Sequence, residues 1–144
     1  MRSRRYVPTL AGPLFLVTGY TDGLLQKELD EQTFNHSNRV FVYGSALVKT
    51  HFPDWKFNEN ATAVETYALS CLLHDIGTAE KFLATTHLSF EFKGAIVARD
   101  LILGLGGPEA EADSVCDAII RHQDIFVKGC DVCPRVRGFV NGIC

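Results

Sequence analysis

No apolar run in this 144-residue sequence approaches the roughly 20 residues that a membrane-spanning helix needs, so a bilayer protein is not expected. A broad cationic field is missing too. Fourteen Lys and Arg stand against 17 Asp and Glu, and the net charge of −3 offers no global attraction to nucleic acid or anionic lipid. There is no internal repeat and no low-complexity tract. Nor is there an even set of cysteines from which to build a disulfide framework. Of the five (Cys71, Cys116, Cys130, Cys133, Cys144), the first two sit in apolar helical patterns where free thiols behave as small hydrophobes, which suits a reducing cytoplasm. Thr18–Tyr20 and the glycines Gly104, Gly106 and Gly107 lack the strand-to-helix setting of a phosphate loop.

What is present is a chain 47% hydrophobic, long enough to bury one core and too short for two. That points to one domain acting on a small molecule or binding a protein partner. The start, Met1-Arg2-Ser3-Arg4-Arg5 followed by the apolar stretch Thr9–Val17, loosely resembles a secretion signal. Gly12-Pro13 interrupts it and no small-x-small cleavage site follows, so a cytoplasmic location is expected.

The periodicity predicts five helical segments and no strand. Residues 1–20 read as irregular. The first helix spans Asp22–Glu31 with Leu24, Leu25 and Leu29 on one side; the second runs from about Asn35 to Lys49 and ends at His51-Phe52-Pro53. The third starts near Asn60–Thr62, where Thr62-x-x-Glu65 reads as a capping box, and stops at Gly77 as a left-handed terminal residue. The fourth covers Ser89–Leu103 and breaks at Gly104-x-Gly106-Gly107. The fifth opens at Pro108 and continues to Asp124.

Three apolar stripes end on polar groups. Val64, Tyr67, Ala68 and Cys71 lead at helical spacing to the adjacent pair His74-Asp75. His36, Val40, Tyr43 and Leu47 share one face of the second helix and read as core, and Ala112, Val115, Cys116 and Ile119 lead to His122. Glu91 precedes the small-residue face Gly94, Ala95 and Ala98. Burying imidazole and carboxylate groups is costly unless they are paired, hydrogen-bonded or bound to a cation, and one shared metal would satisfy several together.

Ordinary readings compete residue by residue. A lone inward histidine such as His36 or His122 more often packs in a core and bonds to backbone, and Glu91 could simply complement the positive end of its helix. A cap or salt bridge could account for Asp75. His51 and His87 read as a helix-end and a loop histidine, and the lone Cys130-x-x-Cys133 as a surface loop.

Two stretches, Glu31-Gln32-Thr33-Phe34-Asn35-His36-Ser37-Asn38-Arg39-Val40 and Cys71-Leu72-Leu73-His74-Asp75-Ile76-Gly77, resemble in order and separation the histidine and HD motifs of the HD-domain superfamily. Three more, His51-Phe52-Pro53-Asp54-Trp55, Thr86-His87-Leu88-Ser89-Phe90-Glu91-Phe92 and Ala118-Ile119-Ile120-Arg121-His122-Gln123-Asp124, are similar to its fungal cyanamide hydratase-like branch. The resemblance covers about residues 24–125.

It implies an all-α HD-domain helical bundle, with residues 1–20 outside it, a core over 21–125 and a divergent tail over 126–144. It also implies a divalent metal, zinc or another transition ion, held by the first histidine, the HD pair and a later aspartate. His36, His74 and Asp75 match three of those positions. The fourth belongs to a helix beyond the Arg121–Asp124 segment that has no counterpart here, and Asp131 lacks that helix's apolar setting. Both ends therefore read as those of a divergent, alternatively spliced or truncated form.

The activity implied is hydration of a small nitrile such as cyanamide to urea. Asp75 and His122 would handle protons, with Glu91 and His87 as further pocket candidates. The alternatives are metal-dependent phosphohydrolysis, known in the wider superfamily, and a non-catalytic helical remnant. The sequence says nothing about oligomeric state.

Overall fold

The computed structural model describes residues 13–124, and all regular structure among them is helical. The long helices are α1 (Pro13–Glu28), α2 (Glu31–His51), α3 (Ala61–Leu73), α5 (Phe90–Gly104) and α6 (Glu109–Arg121), with a single-turn α4 (Glu80–Leu83). Short 3₁₀ turns occupy Pro53–Trp55, Phe57–Glu59 and Ile76–Thr78. This is the expected all-α bundle. Cys130, Cys133, Cys144 and Asp131 lie outside the described residues.

Several boundaries differ from the sequence expectation, each for a local reason. Residues 13–20, expected to be irregular, belong to α1. Pro13 opens that helix, at a first-turn position where a missing N–H costs nothing, so it marks a start rather than an interruption. α2 begins at Glu31 instead of Asn35 because Asp30 caps it, its carboxylate accepting from the N–H groups of Gln32 at 2.8 Å and Thr33 at 3.0 Å. That cap also separates α2 from α1, whose sequence pattern had seemed to run on to Glu31. Asn60, not Thr62, caps α3 by accepting from Ala63 N–H at 3.1 Å, and this frees Glu65 from the expected capping box.

The far end of α5 follows the sequence closely. Gly106 takes φ +81°, while Gly107 N–H bonds the Ile102 carbonyl and Gly106 N–H bonds that of Leu103, the bond pair of a Schellman motif.

α3 is the central rod. Leu69, Leu72 and Leu73 pack into the main core with Leu25 and Leu29 of α1, Ala95, Ala98 and Ile102 of α5, and Ala112, Val115 and Ile119 of α6. Tyr67 and Cys71, on its other side, join Val48 of α2 and Phe57 in a second core.

The stripe expected to be core on α2 is displaced. Tyr43 is 68% exposed and Leu47 42%, whereas Ser37, Gly44 and Val48 are the buried positions. Two neighbouring stripes share helical spacing, and the buried one carries the small residues. His36 therefore sits at the edge of the core-facing side.

Gly77 is not a helix-ending left-handed residue. α3 stops at Leu73, and Gly77 lies in the following 3₁₀ turn, pressed against α5. A Cβ there would collide with the Phe90 carbonyl oxygen and come within 2.8 Å of Gly94 N; one on Gly94 would come within 2.9 Å of Gly77 N. Two glycines let the backbones touch.

Candidate metal centre

Four of the predicted side chains meet at one end of the bundle. His74 is the C-terminal cap of α3 and Asp75 follows it; His122 is the C-terminal cap of α6; His36 reaches in from the first half of α2. His74 Nε2 lies 3.1 Å from Asp75 Oδ2, and His36 Nε2 lies 3.8 Å from the same oxygen. His122 Nε2 approaches the other oxygen, Oδ1, at 3.8 Å. The ring centroids of His36 and His74 are 5.1 Å apart and those of His74 and His122 5.2 Å apart, edge to face in both cases.

Backbone orients two of these rings. His74 Nδ1 is 2.7 Å from the Cys71 carbonyl, and His122 Nδ1 is 2.6 Å from the Ile119 carbonyl. A carbonyl only accepts, so each Nδ1 carries a proton; His74 Nε2 then bonds the ionised Asp75 only while it is protonated as well, and losing that second proton leaves a lone pair there for an ion. Outer hydrogen bonds of this kind fix the tautomer of a metal-binding histidine. Phe90, the first residue of α5, sets its ring edge to face with His122 at 5.7 Å.

The site's electrostatics follow from this geometry. Burial works against charge on both members of the pair. For Asp75, the hydrogen bond and charge of His74, with His122 and His36 nearby, outweigh it and hold the carboxyl below its usual range. For His74, burial pulls the imidazole down, but the hydrogen bond and charge of Asp75, with the Cys71 carbonyl, raise it above its usual value. Ions of either sign are thus stabilised around Asp75 only in company.

His36, His74 and Asp75 can each offer one ligand atom, all within 4.8 Å of one another. The donor set fits a divalent ion. Two imidazole nitrogens and a carboxylate oxygen are typical zinc ligands, and separations of 3.1 and 3.8 Å bracket the roughly 3.4 Å ligand–ligand edge of a tetrahedral shell with ~2.1 Å bonds. Glu91 and His87 do not join this group: Glu91 lies in the first turn of α5 and His87 is exposed in the loop before it. The sequence reading missed Phe90 against His122 and the backbone contact under Gly77. The only sequence signal for the latter was Gly94, read simply as part of a small-residue face.

The HD domain family profile matches residues 33–137, and the chain belongs to that family. Within it the chain falls in the cyanamide hydratase-like branch. It is similar to the cyanamide hydratases DDI2 and DDI3 of Saccharomyces cerevisiae, 43% identical to each over 104 residues, which is 72% of this chain and 44% of either relative. The chain thus spans less than half the length of the curated relatives it matches. The matched family segment runs beyond 125, into residues the sequence had assigned to a divergent tail.

Proposed function

We propose that this chain carries a zinc-dependent hydratase site for a small nitrile such as cyanamide, with His36, His74 and Asp75 as metal ligands. The observation that carries the reading is one carboxylate ringed by three imidazoles, on a chain 43% identical over its matched part to two cyanamide hydratases. When bound, the ion supplies Lewis acidity that polarises the substrate and acidifies water.

Hydration adds water across the nitrile, the oxygen to carbon and a proton to nitrogen, and the product rearranges to urea. The two faces of Asp75 suit separate duties. Oδ2 lies towards His36 and His74, on the ligand side, while Oδ1 faces His122. Asp75 Oδ1 orients the water and accepts its proton, which passes to the His122 Nε2 lone pair facing that oxygen and from there to the nitrile nitrogen.

The test is to purify the chain, measure bound zinc, and assay urea formed from cyanamide beside His74→Ala. Zinc-loaded wild type that makes urea, with both properties lost in His74→Ala, is expected. Folded, zinc-loaded protein that makes no urea overturns the hydratase assignment, and phosphate release from nucleotides would replace it with phosphohydrolysis.

A further inference from the structure

Two acidic side chains far from the metal centre are buried as deeply as core residues: Glu65 of α3 is 5% exposed and Glu111 of α6 is 7% exposed. They interact across the α3–α6 interface, where the ionisation of each bears on that of the other. The Thr66 hydroxyl lies 3.2 Å from Glu111 Oε1 and 2.9 Å from the Thr62 carbonyl. Ionised carboxylates are acceptors only, so a hydrogen bond between two of them requires a proton held in common.

Among the described residues, Glu28 of α1 pairs with Lys81, Arg99 of α5 with Asp113 and Glu109, and Arg121 of α6 with Asp117; Lys93 of α5 lies over the Phe82 ring, and Lys27 of α1, Arg39 and Lys49 of α2 and Asp100 of α5 are exposed. The charge acting on Glu65 is that of Glu111. Burial raises Glu111 too, but the hydrogen bonds of Thr66 and Glu65 lower it and its place in the first turn of α6, at the positive end of the helix dipole, favours its ionised form, so Glu65 carries the proton.

Helix direction adds meaning to the pair. Glu65 and Glu111 sit near the starting ends of their helices, while His74 and His122, 5.2 Å apart, cap the finishing ends. α3 and α6 therefore run side by side in the same direction, fastened by acids at one end and histidines at the other.

We propose that Glu65 and Glu111 form a one-proton clamp between α3 and α6, a pH-sensitive lock that holds in mild acid and opens above neutrality. Burial first, then the charge and hydrogen bond of Glu111, push Glu65 from 4.5 up to about 7. Between those values the folded chain keeps a proton that the unfolded chain releases. The stabilisation is complete below the lower value and gone once pH has passed the upper one.

Chemical denaturation of the full chain from pH 5 to pH 8, beside Glu65→Gln, tests the clamp. The glutamine amide donates to Glu111 as the protonated acid does but cannot titrate. Relative to Glu65→Gln, the wild-type unfolding constant should rise on the order of a hundredfold across that range. Parallel profiles overturn the proposal. Should the variant fail to fold, carboxyl-carbon NMR of the wild type decides: a Glu65 midpoint near 7 supports the clamp, and one near 4.5 overturns it.

Discussion

His122 faces Asp75 Oδ1 across 3.8 Å, away from the oxygen that the other two histidines share, and on the proposed function this would separate proton transfer from metal binding at the level of single residues. His122→Gln is expected to keep zinc while urea formation falls on the order of a hundredfold, the usual scale for losing a general acid. Equilibrium dialysis and a urea assay on the same sample check both halves. On the proposed function, the His74-Asp75 pair would set the pH dependence of zinc binding. Because Asp75 raises His74 above its ordinary 6.5, a proton competes with the ion to a higher pH than at a free histidine. Zinc affinity measured by chelator competition should climb about tenfold per pH unit through that range, then level off. Without zinc the same pair stabilises the fold most in between. The share due to Asp75 is lost as acid protonates it, and the share due to His74 is lost as pH rises through its raised value.

Among the secondary-structure elements, the contact between Gly77 and Gly94 decides where the HD turn sits. Gly94→Ala puts a methyl against backbone that cannot swing aside as a side chain does, so the turn carrying Asp75 must retreat from α5. The expected outcome is a stability loss of about 1–3 kcal/mol by denaturation together with weakened zinc binding. A variant with unchanged zinc affinity would show that the turn tolerates the shift. Local signals in the sequence were legible: the proline at the start of α6, the glycines ending α5, and the HD pair at the end of α3 all act within a few residues of themselves. What escaped was set by competition or distance. Asn60 outbid Thr62 for the cap of α3, and the stripe holding Ser37 and Gly44 was buried in place of the more apolar one through Tyr43 and Leu47. The match of His36 to the site thus survives an incorrect account of its helix. Glu65 meets Glu111 across 46 positions of chain, which no local pattern encodes.

For the molecule as a whole, the candidate ligands come from α2 and the end of α3, so an ion bound there would tie elements that must already be folded together. Binding only to the folded form stabilises it by mass action, about 2.7 kcal/mol at a hundred times the dissociation constant. Thermal denaturation with added zinc should show the wild-type midpoint rising with metal concentration and that of His74→Ala staying fixed. No helix among the described residues is long and apolar enough to cross a membrane. The candidate ligands are shielded unequally: the His36 side chain is 49% exposed, against 12% for His74 and 18% for Asp75. An arriving ion would dock on the sheltered pair before the outer imidazole folds over it, and a departing one would leave by the reverse order. The residence time of such an ion would then be governed by how often one surface side chain on α2 lets go, more than by how tightly the inner two hold.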